Sequence, residues 1–505
     1  MATEPRHTTS RLSGLWALAF DWAQANSRLR GSLFAPVDVA SVAAFRILFG
    51  ALMLVAVLRF FAHGWIDEYF LTPKHFFPYF GLDWIRPWPG IGMYLHFAVM
   101  GCCAAAVMVG LYYRFAVVLF GLLFSYAHLI DRTNYLNHYY LVMCLSGLMV
   151  FLPLNRWASF DVLRNPALRS QWVPAWVLWA LRAQLGVVYF FGGVAKLKSD
   201  WLIDAEPLAT WLAANTDFPA IGGLFQYGAT AHIMSVAGAL FDLTIVPLLL
   251  WQRSRWFAYG AVVVFHLMTA RLFQLGMFPW IMMCSSLLFL PANWPRQFGK
   301  NALSLLGDWA PGSRLRGSEL EVRRTAPQSR REVTRSVLPP QPGTRSPLIM
   351  WSLATYFTLQ LLMPLRHWLY PGDVYWTEQG FRFSWNVMLM EKNGSADFYV
   401  TEPETGRRWA VSPTQYLTRY QAKMMASQPD MIVDFAQILA QDFARRGVQH
   451  PQVTVDAFAS LNGRPLARLI DPTVDLAQQH DDWLPKSWIL PSPREQNDSL
   501  LLATR

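Results

Sequence analysis

The amino-acid sequence reads as a polytopic α-helical membrane domain followed by a soluble, β-rich α+β domain, on three observations. Of its 505 residues, 53% are hydrophobic and only 15% charged, whereas ordinary globular chains carry roughly 25% charged residues. Long uncharged runs recur between about residue 38 and residue 366 and then stop. The chain also holds 23 tryptophans and 18 tyrosines, residues that gather at membrane–water interfaces.

A membrane-spanning helix needs roughly 20 mostly apolar residues. Nine helical segments are expected, near 38–60, 93–113, 115–130, 138–154, 176–196, 229–251, 256–273, 276–291 and 347–366, the third and eighth being short. The opening MATEPRHTTSRLSG has no compact apolar core followed by a small-residue cleavage site, so a removable signal peptide is not expected. Cys102, Cys103, Cys144 and Cys284 all lie inside apolar runs, which suggests neither a disulfide framework nor a structural metal site.

Arginine and lysine set the expected sidedness, because cytoplasmic loops are enriched in both. Arg6, Arg11, Arg28 and Arg30 precede the first segment. Arg114 follows the second, Arg156, Arg164 and Arg169 the fourth, and Arg253 and Arg255 the sixth. With the N-terminus inside, all of these junctions are inside. The longest one, 292–346, carries ten Arg and Lys against four acids and is rich in Pro, Ser and Gly, the composition of a disordered cytoplasmic linker. The net charge of +10 is thus accounted for without nucleic acid. The expected organisation is a transmembrane domain over 1–291, the linker over 292–346, a last helix over 347–366 and an extracytoplasmic domain over 367–505.

That last part changes character. FSWNVMLMEKNGSADFYVTEPETGRRWAVS alternates in short runs broken by Asn393-Gly394 and by EPETG, a hairpin pattern. PDMIVDFAQILAQDFARRG is amphipathic and stops at Gly447, as a helix does. VTVDAFASLNGRPLARLID is a strand–turn–strand with Asn462-Gly463 at the turn.

The same sidedness puts DRTNYLNHYY (131–140), AKLKSDW (195–201) and RLFQLGMF (271–278) on one face, beneath the soluble domain. Three noncontiguous loops there can assemble a pocket at the membrane surface. Each polar residue also has a plain alternative. Lys196 can snorkel from a helix end to water, His138 can be a satisfied interfacial histidine, and Trp385 can be an ordinary core tryptophan. Arg46, Arg182 and Asp242 lie within apolar segments, where a charge costs roughly 2.5–3.5 kcal/mol on insertion scales. They are expected to pair with one another or to line a cavity. Nucleotide-binding loops, zinc-protease motifs and nucleophile elbows are not found in suitable settings.

FRILFG (45–50), DRTNYLNHYY, LRAQ followed by YFFGGVAKLKSDW, FHLMTARLFQLGMF (265–278), and FSWN with the later RLIDPTVDL (468–476) resemble the vitamin K-dependent gamma-glutamyl carboxylase family, whose membrane part is also called a horizontally transferred transmembrane domain. The resemblance runs in order from about residue 37 to residue 490. It implies a membrane lyase of the carboxy-lyase class that oxidises vitamin K hydroquinone, a reduced naphthoquinone, with O₂. The strong base so produced removes a γ-proton from a protein glutamate, and the carbanion adds CO₂ to give γ-carboxyglutamate as the quinone leaves as an epoxide. Membrane lipid and a glutamate-containing protein or peptide are the implied partners, with no metal and no nucleic acid.

By position, Lys196 corresponds to the family's lysine that deprotonates the hydroquinone, and His138 to the histidine of the carboxylation half. The resemblance further implies Asn137, Gly192, Gly193, His266 and Phe278 along the cofactor, and Leu275, Trp385, Met388 and Lys392 along the substrate. An exposed lysine is protonated at neutral pH, but desolvation disfavours the charged form. A lysine closing an apolar helix beside two glycines can therefore act as a base next to a flat ring. The chain departs from the family in three ways. Ala195 and Lys196 stand where two lysines are usual, no cysteine lies outside the apolar runs to form the outer disulfide, and Met390 and Lys392 replace a histidine and an arginine near the glutamate. A bacterial inner-membrane homologue is expected. Two alternatives remain: a quinone epoxidase or oxidoreductase without carboxylation, and a non-enzymatic membrane binding protein.

Overall fold

The computed structural model describes residues 31–273, 275–299 and 346–495. Nine apolar helices follow one another among the described residues: α1 (Ala40–Ala62), α2 (Ile91–Val109), α3 (Tyr113–Leu129), α4 (Asn137–Phe151), α5 (Ala175–Ala195), α8 (Gly228–Leu250), α9 (Arg255–Phe273), α10 (Phe278–Ser286) and α11 (Ser346–Leu365). Two short helices, α6 (Ser199–Leu202) and α7 (Leu208–Ala213), interrupt the series after α5. Six of the long helices have the length and composition to cross a membrane; α3, α4 and the α10 segment are shorter. The N-terminal tail and most of the basic junction 292–346 lie outside the described residues.

Helix ends in this bundle are satisfied by specific groups, since terminal carbonyls left bare in an apolar medium are costly. Gly110, at φ +69°, closes α2 in the left-handed conformation glycine tolerates. The guanidinium of Arg46 then donates to Val107 O at 2.8 Å, Met108 O at 2.7 Å and Leu154 O at 3.2 Å. Arg182 does the same for Leu288 O at 2.8 Å and Leu290 O at 3.3 Å. Neither arginine pairs with an acid among the described residues, so of the two expected outcomes, pairing with one another or lining a cavity, the mutual pairing of Arg46, Arg182 and Asp242 does not occur. Peptide carbonyls at helix ends supply the partners instead.

Two short strands of the bundle, β1 (Pro36–Asp38) and β2 (Trp172–Pro174), pair antiparallel, and the C-terminal domain is a four-stranded antiparallel sheet, in the order β4-β3-β5-β6, with β3 at Lys392–Thr401, β4 at Arg408–Val411, β5 at Gln452–Leu461 and β6 at Ala467–Arg468. A short helix α12 (Arg419–Met425) and the amphipathic α13 (Pro429–Arg445) join β4 to β5. Gly447, at φ +94°, follows α13, and Asn462 and Gly463, at φ +50° and +72°, make the β5–β6 turn. The turn expected at Asn393-Gly394 is absent. Both residues lie inside β3, opposite Ser460 and Ala459. A Cβ on Gly394 would come 2.6 Å from the carbonyl oxygen of Ala426, so this glycine serves close packing rather than a turn.

The domain sits on the ends of the helices through buried charges. Arg132, 4% exposed, meets Asp430 at 3.0 Å and also holds Asp434 and Asp481. Arg382 holds Asp430 from the other side, and Gln421 Nε2 donates to Asp131 at 2.8 Å. Asp200, on α6, is gripped by Arg464 and Arg494. Residues 131–138 and 195–201, from separate loops, thus meet one soluble domain.

Candidate active site

Lys196 caps the C-terminus of α5, its amide donating to Gly193 O at 3.0 Å. The residue is 5% exposed. Its Nζ donates to Asp242 Oδ2 at 2.8 Å and to Gly192 O at 3.2 Å and lies 5.3 Å over the ring of Trp201. Asp242 comes from the middle of α8. The two glycines let that helix approach. A Cβ on Gly193 would meet Leu243 Cγ at 2.7 Å, and one on Gly192 would stand 3.4 Å from Asp242 Oδ2. The sequence YFFGGVAK is therefore a close helix crossing that delivers a carboxylate to a lysine.

This pair forms part of the wall of a cavity of about 320 Å³, within the usual range for small-molecule sites. Among the described residues lining it, Lys196 and Asp242 are the only charged ones; the rest are mostly apolar and aromatic side chains from α5, α8, α9 and α10, together with Trp201, Trp211, Val387 and Met388. Ala237 on α8 and Val264 on α9 line the cavity and are exposed as well. It thus reaches the apolar flank of the bundle between those helices. His266, 2% exposed, is a second polar group on the wall. Its Nε2 is 3.0 Å from the Tyr189 hydroxyl, and its Nδ1 has no partner among the described residues. An unpaired buried ring nitrogen beside an ion pair leaves hydrogen-bonding capacity for a ligand that carries oxygen atoms on an apolar body.

The cavity collects Lys196, Gly192, His266, Leu275, Phe278 and Met388. It leaves five other expected residues outside its lining. His138 stands behind Phe278, ring centroids 6.0 Å apart, with Tyr139 at 4.7 Å on another side. Gly193 packs against Leu243, so its missing side chain makes room for α8 rather than for a ring. Asn137 donates to Asn386 O and accepts from the Tyr135 hydroxyl, both at 2.9 Å, which ties α4 to the loop holding Trp385. Trp385 is 1% exposed and stacks on Tyr140 at 4.6 Å, the packing of a core tryptophan. Lys392 Nζ donates to Trp376 O at 2.7 Å and Glu378 Oε1 at 3.0 Å. With side chains only 1% and 4% exposed, that ion pair is buried away from the cavity.

Two comparisons bear on this arrangement. The HTTM domain matches residues 34–294, and the lumenal domain of vitamin K-dependent gamma-carboxylase matches residues 345–495. The chain belongs to the vitamin K-dependent gamma-carboxylase family. No solved structure matches it. The first match spans α1 to α10 and the second spans α11 and the sheet domain, and the cavity lies where the bundle and the sheet domain meet. Asp242 does line a cavity, one of its two expected roles, but its charge partner is Lys196 and neither arginine. The signal available was a lone acid in an apolar helix, and a partner 46 residues away is invisible to local pattern. Tyr189 and Trp201, also at the wall, are the first and last residues of YFFGGVAKLKSDW, a motif in which only Lys196 and the two glycines were assigned roles.

Proposed function

We propose that this membrane protein is a gamma-carboxylase-like enzyme that draws a reduced naphthoquinone from the bilayer, converts it with O₂ to an epoxide, and couples that reaction to carboxylation of protein glutamate. What supports the quinone half is one observation: a lysine–aspartate pair in the wall of an otherwise apolar cavity that is open to the flank of the bundle. The bound cofactor supplies the ring hydroxyls and the electrons passed to O₂.

The protein's own groups do the rest. Lys196 carries three donors as an ammonium, of which Asp242 and Gly192 O occupy two. The third is free for a ring oxygen. As Lys196 takes the hydroxyl proton it passes one of its own to Asp242 Oδ2, so the proton rests on the carboxylate and the ammonium stays beside the oxyanion. The cavity remains neutral throughout, which matters where charge is poorly solvated. In this reading the pair, rather than a lone desolvated amine, is the base. His266 Nδ1 binds a second ring oxygen, and the aromatic wall excludes water. His138, behind Phe278, serves the carboxylation half.

A second reading, quinone epoxidation without carboxylation, is favoured by a specific observation. A glutamate carboxylate needs a cation or several donors when it is desolvated, and Lys392 is already neutralised by Glu378. The test is purified protein in nanodiscs given vitamin K hydroquinone, O₂, labelled CO₂ and glutamate-containing peptides. Epoxide plus labelled peptide supports the coupled reaction, epoxide alone across a broad peptide panel supports the second reading, and neither product from folded protein overturns both.

A further inference from the structure

We infer that Asp200 is a positioning residue for the Lys196 site, through which the C-terminal domain fixes the geometry of the Lys196–Asp242 pair. The inference rests on the proposed reading of that pair as the proton acceptor.

Asp200 follows Lys196 by four residues and is 6% exposed. Its two oxygens receive four donors. Arg464 binds both, Nη1 to Oδ2 at 2.9 Å and Nη2 to Oδ1 at 2.6 Å. Arg494 Nη1 reaches Oδ1 at 2.8 Å, and Asn462 Nδ2 reaches Oδ2 at 3.1 Å. Every one of these donors belongs to the C-terminal domain, three of them to two residues of the turn between β5 and β6. A two-pronged arginine contact fixes direction as well as distance, so the carboxylate cannot shift without moving the turn.

The grip passes directly to the site. Trp201, the next residue, lines the cavity and lies under Lys196 Nζ. Its indole donates to Ser235 O at 2.7 Å, and Gly238, whose Cβ would stand 3.6 Å from the ring, leaves room for it. Ser235, Gly238 and Asp242 share one face of α8, being spaced by three and four residues. The same segment is tied on its other side. Lys198 Nζ meets Asp373 at 2.8 Å and lies 3.8 Å over the Tyr375 ring, and the Tyr375 hydroxyl donates to Ala195 O at 3.3 Å. Residues 195, 198 and 200 are thus each held by the C-terminal domain, and the base lies between them.

The experiment compares the full-length protein with Asp200→Asn in nanodiscs. Amide exchange over 195–204, affinity for vitamin K quinone read by tryptophan quenching, and the kcat and KM of epoxide formation are measured together. Expected are faster exchange by about 10-fold, an affinity within about threefold of wild type, and a kcat lower by about 100-fold, the scale of a misplacement near 1 Å. Exchange unchanged in folded Asp200→Asn overturns the clamp. A kcat within about twofold of a turning-over wild type overturns the positioning role. If wild type forms no epoxide, the proposed function falls, and the exchange data alone still decide whether the domain holds this segment. Should Asp200→Asn fail to fold, Arg464→Gln, which leaves the membrane segment untouched, carries the same test.

Discussion

The charge cluster between bundle and C-terminal domain predicts that docking loosens as pH rises. Arg132 faces three carboxylates, Asp430, Asp434 and Asp481, with Arg382 adding a second cation on Asp430. Burial pushes the Asp434 carboxyl up to about 7, Arg132 opposing the rise and Asp481 and Asp430 reinforcing it. Burial also pushes Asp481 up against the opposing pull of Arg132, with Asp430 reinforcing the rise. Asp430 is held low, since Arg382 and Arg132 outweigh its own burial. An unfolded aspartate titrates near 3.9. Asp434 therefore binds a proton in the docked state that the undocked state has released, and its stabilising effect is complete below about pH 4 and lost as pH rises through about 7. Between pH 5.5 and 8.5 this loss amounts to about 2 kcal/mol, or about 30-fold in an opening equilibrium. Asp434→Asn keeps the size and an acceptor for Arg132 while removing the titration. Amide exchange in 131–134 and α13, taken as the wild-type to variant ratio at each pH, isolates the effect from the intrinsic pH dependence of exchange. The ratio is expected to rise by about 30-fold from pH 5.5 to 8.5. A flat ratio, or one that falls, would mean that Asp434 is ionised throughout and that Arg132 alone balances its neighbours.

Three further predictions concern the site, and a fourth the topology. Lys196→Met and Asp242→Asn should each lower epoxide formation by about 100-fold or more, the scale of lost acid–base assistance. Each single change leaves a buried charge unpaired at a cost of about 3 kcal/mol, so the double variant should unfold at a higher temperature than either; a double variant less stable than both would show that the two residues are not coupled. His138→Ala should lose peptide carboxylation by about 100-fold and epoxide formation by less than about threefold, measured on the same sample, and equal losses would assign His138 to the quinone half or to the scaffold. Reporter fusions placed in 292–346 and at the C-terminus should report opposite sides of the membrane, the former inside; the same side for both would sink the arrangement expected from the arginines.

What the sequence made legible was set by how local the cause is. The segment 38–60 matches α1 at Ala40–Ala62 because an apolar run and its end are properties of consecutive residues. The same holds for α13 and for the Asn462-Gly463 turn, whose backbone conformation is written in those two residues. Asn393-Gly394 has the same letters and the opposite outcome, because the decisive neighbour, Ala426 O, comes from another part of the chain. Charges in apolar helices showed a similar divide. Insertion cost says that Arg46 must find a partner, yet not that the partner is a row of carbonyls at the end of α2 and after α4. Lys196 was legible as a candidate because its motif is specific. Its partner Asp242 was not, since only the packing of α5 on α8 through Gly193 brings them together.

The two halves of the proposed reaction ask different things of the protein. A hydroquinone is neutral, apolar and acidic only at its hydroxyls, so it asks of a protein a greasy slot, one proton acceptor and one or two hydrogen-bonding atoms. The cavity has these in Lys196–Asp242 and His266, and an opening at Ala237 and Val264 on the apolar flank. A glutamate asks for the reverse, a fixed positive charge that no other group has claimed. Lys196 is bound to Asp242, and Lys392 is bound to Glu378 with both side chains nearly inaccessible. Opening the second pair to admit a substrate would strand Glu378, whose carboxyl burial already pushes upward. A peptide acceptor would then have to compete with an internal carboxylate for the same ammonium, against the geometry that Trp376 O imposes at 2.7 Å. Removing the competitor, as in Glu378→Gln, costs a buried ion pair but frees the Lys392 ammonium to meet a glutamate.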